Sequence, residues 1–433
     1  MGRAGLLMIA LFAQCLALFR PCHGSADVAP GDVIDKTSWE KAQGLVPEEL
    51  LAWVKQGEFV LPVGELHFKP GDCQPPFALE ARSTNTGKYA LDQDGWIVET
   101  GSGQPAEHII GLPFPEVALD DPRAAEKIVC NKTYMQYVAG NVRAVFSTDY
   151  LKRSGYDRST KGTMLNRVMD GNPQSMTRSN PDRVEKYQIF LATSPYDIAG
   201  TAVMTWRYFD PRKQDNTFAY VPAIRRVRRM SPGNRSDSLF GSDFAIDDAG
   251  VYDGKVGAME WKFLRAQEAL LPFPAADPLP IVENETGGWR SSENVKEMVC
   301  GYQREGWQGA PWAPVNWIWV KQPVYVLEMK AKDPYYTYGI QHLWLHTGTY
   351  VAVFKTIYDK SGKHWKTVML QHACFESGDQ KFHLTYAGDQ IAIDERADHA
   401  TAIKGPTPTD IWLYSVELAE DDFSLAGFQK FCK

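Results

Sequence analysis

Four arginines fall within five positions, Arg225, Arg226, Arg228 and Arg229, and the next segment carries Asp237, Asp243, Asp247 and Asp248. Guanidinium groups hold carboxylates and phosphates through paired N–H donors, so the cluster has two uses open to it. Left unpaired, the arginines would grip an anionic head group. Paired with the aspartates, they would form a structural ion network. Like charges along one strand repel unless carboxylates neutralise them. The nearest carboxylates lie in the next segment, so the network is favoured. It predicts contacts from these arginines to Asp243 and Asp247 across a hairpin holding Ser231, Pro232 and Gly233. Strand alternation would set Arg226 and Arg228 on one side, and Arg225 and Arg229 on the other.

Aromatic side chains offer a second kind of chemistry. Thirteen Trp, nineteen Tyr and twenty Phe are many for an acidic chain. On strands with a period of two, Met204, Trp206 and Tyr208 share a face, as do Trp317 and Trp319, and His342, Trp344 and His346. Tyr325 and Leu327 form another such pair. Such rows could line a cavity for an apolar ligand. They could equally be ordinary core, or a surface covered by the N-terminal segment. The cavity candidates are Trp206, Tyr208, Phe218, Tyr220, Trp317, Trp319, Tyr325 and Trp344.

Metal and nucleophile chemistry find little support. On a strand, His342 and His346 would stand about 13 Å apart and could not share an ion. The aspartates lack calcium-loop spacing. Gly-x-Ser-x-Gly, the Ser-x-x-Lys set and a phosphate-cradling Gly-rich loop are all missing from the sequence. No catalytic residue, metal or cofactor is therefore assigned. Carboxylate pairs drawn from distant strands stay open. Cysteines stand at 15, 22, 73, 130, 300, 374 and 432, without C-x-x-C spacing. The pairing of Cys73, Cys130, Cys300, Cys374 and Cys432 is not readable from sequence.

Elements must position these groups. Arg3 followed by the apolar stretch Leu6 to Phe19 and by Gly24-Ser25-Ala26 reads as a cleaved secretory signal, with the mature chain starting at Asp27. Cys22 follows Arg20-Pro21, a poor lipobox. The expected compartment is the periplasm, with or without outer-membrane association. The formal net charge of −7 argues against nucleic acid as a partner. Residues 27–120 read as an irregular segment with one helix, opened by Pro47, Glu48 and Glu49 and closed by Gly57. Residues 70–115, rich in Gly, Pro and Asp, read as long loops and short hairpins. A second helix is expected from Asp121-Pro122 to about Ala139, stopped by Gly140. Arg158 to Asn180 reads as a polar, turn-rich loop. Strands are expected at 187–193, 200–209, 217–229, 315–320, 324–329, 340–346, 350–358 and 366–372, with a hairpin turn at Asp359 to Lys363. The division is a signal at 1–26, a segment at 27–120 and a β-rich unit at 121–433.

The order of an arginine-rich strand, then Leu239-Phe240-Gly241-Ser242-Asp243-Phe244, then Asp247-Asp248, resembles the bacterial domain-of-unknown-function family 1329. Its parent superfamily includes the LolA and LolB lipoprotein carriers. The resemblance implies a mainly β (α+β) fold: a large curved antiparallel sheet or incomplete barrel with helices on its concave face. It also implies a non-enzymatic carrier for a lipid, hydrocarbon or acyl chain. A membrane transporter or outer-membrane protein would be its partner. An enzyme acting on envelope glycans or lipids, and a structural envelope protein, are the alternatives.

Overall fold

The computed structural model describes residues 27–231 and 235–432; the expected leader lies outside them. Four short strands belong to the N-terminal segment: β1 (Val33–Ile34), β2 (Leu61–Pro62), β3 (Tyr89–Leu91) and β4 (Ile97–Glu99). Helices are α1 (Glu48–Gln56), α2 (Pro76–Asn85), α3 (Ala124–Val138) and α4 (Leu425–Phe431). The first ends on Gly57, whose φ of 78° is the left-handed geometry glycine adopts without strain. In the region 70–115, expected to hold loops and short hairpins, β3 and β4 form a hairpin, and the structure adds the helix α2, which the sequence pattern does not show. This helix buries only Ala78, Ala81 and Asn85, too little apolar surface to mark the sequence.

Sixteen strands form one large curved sheet. They are β5 (Val142–Lys152), β6 (Gly155–Val168), β7 (Val184–Ser194), β8 (Ala202–Tyr208), β9 (Asn216–Val221), β10 (Arg226–Arg229), β11 (Met259–Phe273), β12 (Leu279–Glu283), β13 (Trp289–Ser291), β14 (Ile318–Ala331), β15 (Gln341–His346), β16 (Ala352–Tyr358), β17 (His364–Ser377), β18 (His383–Asp394), β19 (His399–Lys404) and β20 (Trp412–Tyr414). From β10 to β5 they follow in reverse chain order, and from β17 the path runs β16, β15, β14, β11. Two routes join β5 to β17. One runs through β19 and β18, the other through β20, β13 and β12. All pairings are antiparallel except β12 with β17.

The polar loop expected at Arg158–Asn180 begins as strand β6, up to Val168, and is turn-rich beyond it. The strand's outer half is solvent-exposed and its inner half carries Asn166 and Arg167, so no apolar alternation reveals it. The strand expected at 217–229 is instead a hairpin. Pro222 cannot continue the ladder, Pro222–Ile224 form a 3₁₀ turn, and Arg225 takes φ 48° before β10 pairs back on β9.

Both faces of the sheet are covered. On one, α3 supplies Ala125, Ile128, Val129 and Met135 to a core with Leu327, Leu343, Val368 and Leu370. On the other, α1 packs Leu50, Leu51 and Val54 against Leu271, Trp319, Trp344 and Phe354. At the far end of that second face, Phe428 of α4 covers Leu165, Ile189 and Met204.

Asp389 on β18 is buried and accepts a hydrogen bond from the Gly405 N–H at 3.1 Å. Burial raises its pKa to about 7, against the opposing pull of that bond. Between about pH 4 and 7 the folded state therefore holds a proton that the unfolded chain has released, so stability falls as pH rises through this window. Asp389→Asn cannot ionise. Its advantage over the parent should grow from nothing at pH 4 to ~3 kcal/mol at pH 8, read from urea unfolding at the two pH values.

Candidate functional site

An apolar cavity of about 130 Å³ lies on the α3 side of the sheet. Its floor comes from alternate residues of neighbouring strands: Ala144, Phe146 and Thr148 of β5, Thr160, Gly162, Met164 and Asn166 of β6, and Gln188, Phe190 and Ala192 of β7. Tyr386, Ala387 and Gln390 of β18 and Trp412 of β20 extend it. Gly162 is needed here, because a Cβ at that position would sit 2.6 Å from the Phe146 ring. Helix α3 adds Lys132, Met135 and Gln136.

The roof is the loop that carries the family motif. Leu239, Phe240, Ser242 and Phe244 line the cavity, followed by Ala245, Ala249 and Gly250. Phe240 holds φ 53°, a left-handed conformation uncommon for a non-glycine residue. The Tyr150 hydroxyl donates to its carbonyl at 3.1 Å and pins the loop tip to β5.

The charged residues of the same motif anchor this roof. Asp243 accepts from Thr401 Oγ1 at 2.7 Å and pairs with His399 Nδ1 at 2.6 Å, and its own backbone N–H donates to Thr401 Oγ1 at 2.9 Å. Asp247 accepts from Arg235 Nε at 2.6 Å and from the Tyr336 hydroxyl at 3.1 Å. Asp248 pairs with Lys355, both fully buried, and accepts from Tyr338 at 3.0 Å. Asp253 extends the network. Lys186 Nζ reaches its two oxygens at 2.6 and 2.7 Å, and Arg207 Nη1 lies 3.4 Å away. Burial would raise the Asp253 pKa, but Lys186 and Arg207 outweigh it and hold it well below the usual carboxylate range.

The expected pairing of Arg225, Arg226, Arg228 and Arg229 with Asp243 and Asp247 is thus corrected. Those four arginines are solvent-exposed on and beside the edge strand β10. The aspartates take other partners, Arg235 among them. The cause is the hairpin at Pro222, which turns the arginine strand back along the sheet edge. Of the hairpin residues proposed to carry the turn, Pro232 and Gly233 lie outside the described residues.

The eight aromatic candidates share faces as their spacing requires, but none lines this cavity. Trp206, Tyr208, Phe218 and Tyr220 point to the opposite face, where the Trp206 ring meets Phe218 at 4.9 Å and its Nε1 donates to the Phe423 carbonyl at 3.0 Å. Trp317, Trp319 and Trp344 are buried beneath the N-terminal segment with Trp53 and Phe59. Tyr325 packs on Phe263 and Tyr350. Alternation says which residues share a face, not which face holds the cavity. The residues that do line it were signalled by the motif itself: Leu239, Phe240 and Phe244 are large apolar side chains in a loop.

Among the described residues no group of three or more His, Cys, Asp or Glu is placed to hold a metal ion. The cysteines Cys73, Cys130, Cys300, Cys374 and Cys432 are buried and free.

The fold and cavity define a curved-sheet protein with an apolar chamber roofed by the motif loop Leu239 to Phe244. The family profile described as "Protein of unknown function (DUF1329)" matches residues 33–426, and the chain belongs to that family. Comparison with curated proteins gave no match. Among solved structures, a candidate outer membrane lipoprotein-sorting protein domain from Vibrio parahaemolyticus is 16% identical, with a TM-score of 0.47, 70% of this chain covered and 98% of that one. A DUF1329 family protein from Desulfovibrio piger is 14% identical, with a TM-score of 0.45 and coverages of 70% and 96%. A LolA superfamily protein from Nitrosomonas europaea is 13% identical, with a TM-score of 0.40 and coverages of 69% and 97%.

Proposed function

We propose that this protein is a carrier or binding protein for a hydrophobic ligand, such as a lipid, a hydrocarbon or an acyl chain. We place it in the periplasm, in company with a membrane transport system. The observation that carries the reading is the roofing of an apolar cavity by Leu239, Phe240 and Phe244 of the family motif. Apolar ligand surface leaving water for such a cavity gains roughly 25 cal/mol per Å². The apolar stretch from Leu6 to Phe19 supports export, and none of the described helices is long and apolar enough to cross a membrane. An acid–base enzyme of the glycosidase type would need two facing carboxyl groups. This cavity is lined by one, Asp253, and that one is already held by Lys186.

Ala192 stands on the cavity floor next to Gly162 in the β6–β7 register. Ala192→Phe should fill the space at an overpacking cost of about 1–3 kcal/mol. Binding of a naphthylamine reporter should fall at least tenfold while the protein stays folded by circular dichroism. Unchanged reporter binding in the folded variant would remove this cavity as the ligand site.

A further inference from the structure

The buried cations around the cavity pair off with carboxylates, with one exception. Lys186 is held by Asp253, Arg207 by Asp253 and Asp215, Arg235 by Asp247, and Lys355 by Asp248. Lys132 of α3 is equally buried and lines the cavity, yet among the described residues it makes no ion pair. Its ammonium donates to the Tyr252 carbonyl, which leaves further N–H donors unused. Two side-chain amides line the same cavity, Gln136 close to Lys132 and Asn166 on β6. Gln136 Nε2 and Lys132 Nζ both come close to the inner side of Gly250, at 2.8 and 3.9 Å from where its Cβ would be. Asn166, 3% exposed, has a side-chain oxygen buried without a partner.

An unpaired buried ammonium is costly, and a buried amide oxygen without a donor adds to that cost. Most of the remaining wall is apolar, with Met164, Phe190 and Phe244 among its residues, and its one carboxylate, Asp253, is already held by Lys186. An occupant that matched this surface would be greasy along most of its length, with one negative charge and hydrogen-bonding capacity at one end. A carboxylate meets Lys132 with a charge-assisted bond, Gln136 already presents its Nε2 on that side, and the Asn166 amide would rotate to put an N–H where its unpartnered oxygen stands. Burial holds the Lys132 pKa down to about 7 against the pull of the nearby Asp253 carboxylate, so an incoming anion would favour the charged form further.

We propose that the cavity takes a single-chain amphiphile with a monoanionic carboxylate head, and that Lys132, Gln136 and Asn166 form its head-group site. This deepens the carrier reading and rests on it.

The test is calorimetric titration of delipidated full-length mature protein with three ten-carbon probes: decanoate, 1-decanol and decyltrimethylammonium. Decanoate should bind at least tenfold more tightly than decanol, and the ammonium probe more weakly than either. Lys132→Met should bring decanoate down to the level of decanol. Equal affinity for decanoate and decanol in the parent protein would overturn the head-group site while leaving the carrier reading in place. So would a decanoate preference that survives in Lys132→Met. Failure of all three probes to bind would overturn the carrier reading and this inference with it. The parent-protein comparison decides the matter even if the variant does not fold, and Asn166→Leu supplies a second variant expected to weaken decanoate binding.

Discussion

Asp253→Ala should cost the protein ~3–5 kcal/mol of stability, among the largest losses any single substitution outside the core would cause. The reason lies in what it leaves behind. Lys186 is 1% exposed and loses both oxygens it bonds, and Arg207 loses one of its two carboxylate partners. Lys186 is then left with no carboxylate at ion-pair distance, and Arg207 keeps only Asp215. Because the native Asp253 carboxyl is held below its usual range, its contribution is fully present above about pH 4 and is lost only as pH falls through the folded-state value. Urea unfolding at pH 7 should therefore show the deficit in full, and the gap between parent and variant should close in strong acid. Arg228→Ala on the exposed edge strand is the matched control, expected within about 0.5 kcal/mol of the parent. A similar small effect for Asp253→Ala would mean that water reaches the cluster and screens it.

Local signals carried the parts of the fold that stand on local chemistry. Helix α1 has acidic residues in its first turn and glycine after its last. The turn at Asp359 to Lys363 closes with the Asp359 N–H on the Lys363 carbonyl, and Gly362 takes φ 84°. What stayed hidden depended on partners far away in sequence. Strand β11, MEWKFLRAQEALLPF, is built from good helix formers and becomes a strand because β14 pairs along its whole length. Its outer side is an edge, which explains its Glu, Lys and Arg side chains. The strand signals read from sequence stop at His372, yet β18 and β19 complete the route from β17 back to β5. Short strands such as β20 and β13 are defined only by that closure.

The site shows the same division. Sequence spacing grouped Trp206 with Tyr208 and Trp317 with Trp319 correctly, but both faces of this sheet are buried under apolar layers. A row of aromatics looks the same whether it faces a helix or a chamber. The motif was the better guide, since Leu239 to Phe244 has no strand or helix period to satisfy and still holds three large apolar side chains. Its aspartates are expected from sequence to pair with the arginine run, whereas Asp243, Asp247 and Asp248 bond His399, Arg235 and Lys355. The identity of the cation could not be read, because Arg235 stands only a few residues beyond the arginine run, and the fold selects it by burying it beside Asp247.

Asp248→Ala, which cuts the roof loop's deepest anchor, should also lose ~3–5 kcal/mol. Asp248 and Lys355 are both fully buried, 107 residues apart in sequence, and the carboxylate also takes the Ala245 N–H at 2.7 Å and the Tyr338 hydroxyl at 3.0 Å. Removing the acid strands the ammonium and two donors together. Lys355→Met alone should be costly for the converse reason, an unpaired buried carboxylate. The double variant Asp248→Ala with Lys355→Met strands no charge, so its loss should be smaller than the sum of the two single losses by about 1–3 kcal/mol. Additive losses would show that the two groups do not act as a pair. Because Ala245 and Phe244 line the cavity beside this anchor, the single Asp248 variant should bind a naphthylamine reporter more weakly than the parent even at temperatures where it remains folded. If its stability falls and reporter binding does not, the anchor serves the core rather than the roof, and the motif's acidic and apolar halves have separate jobs.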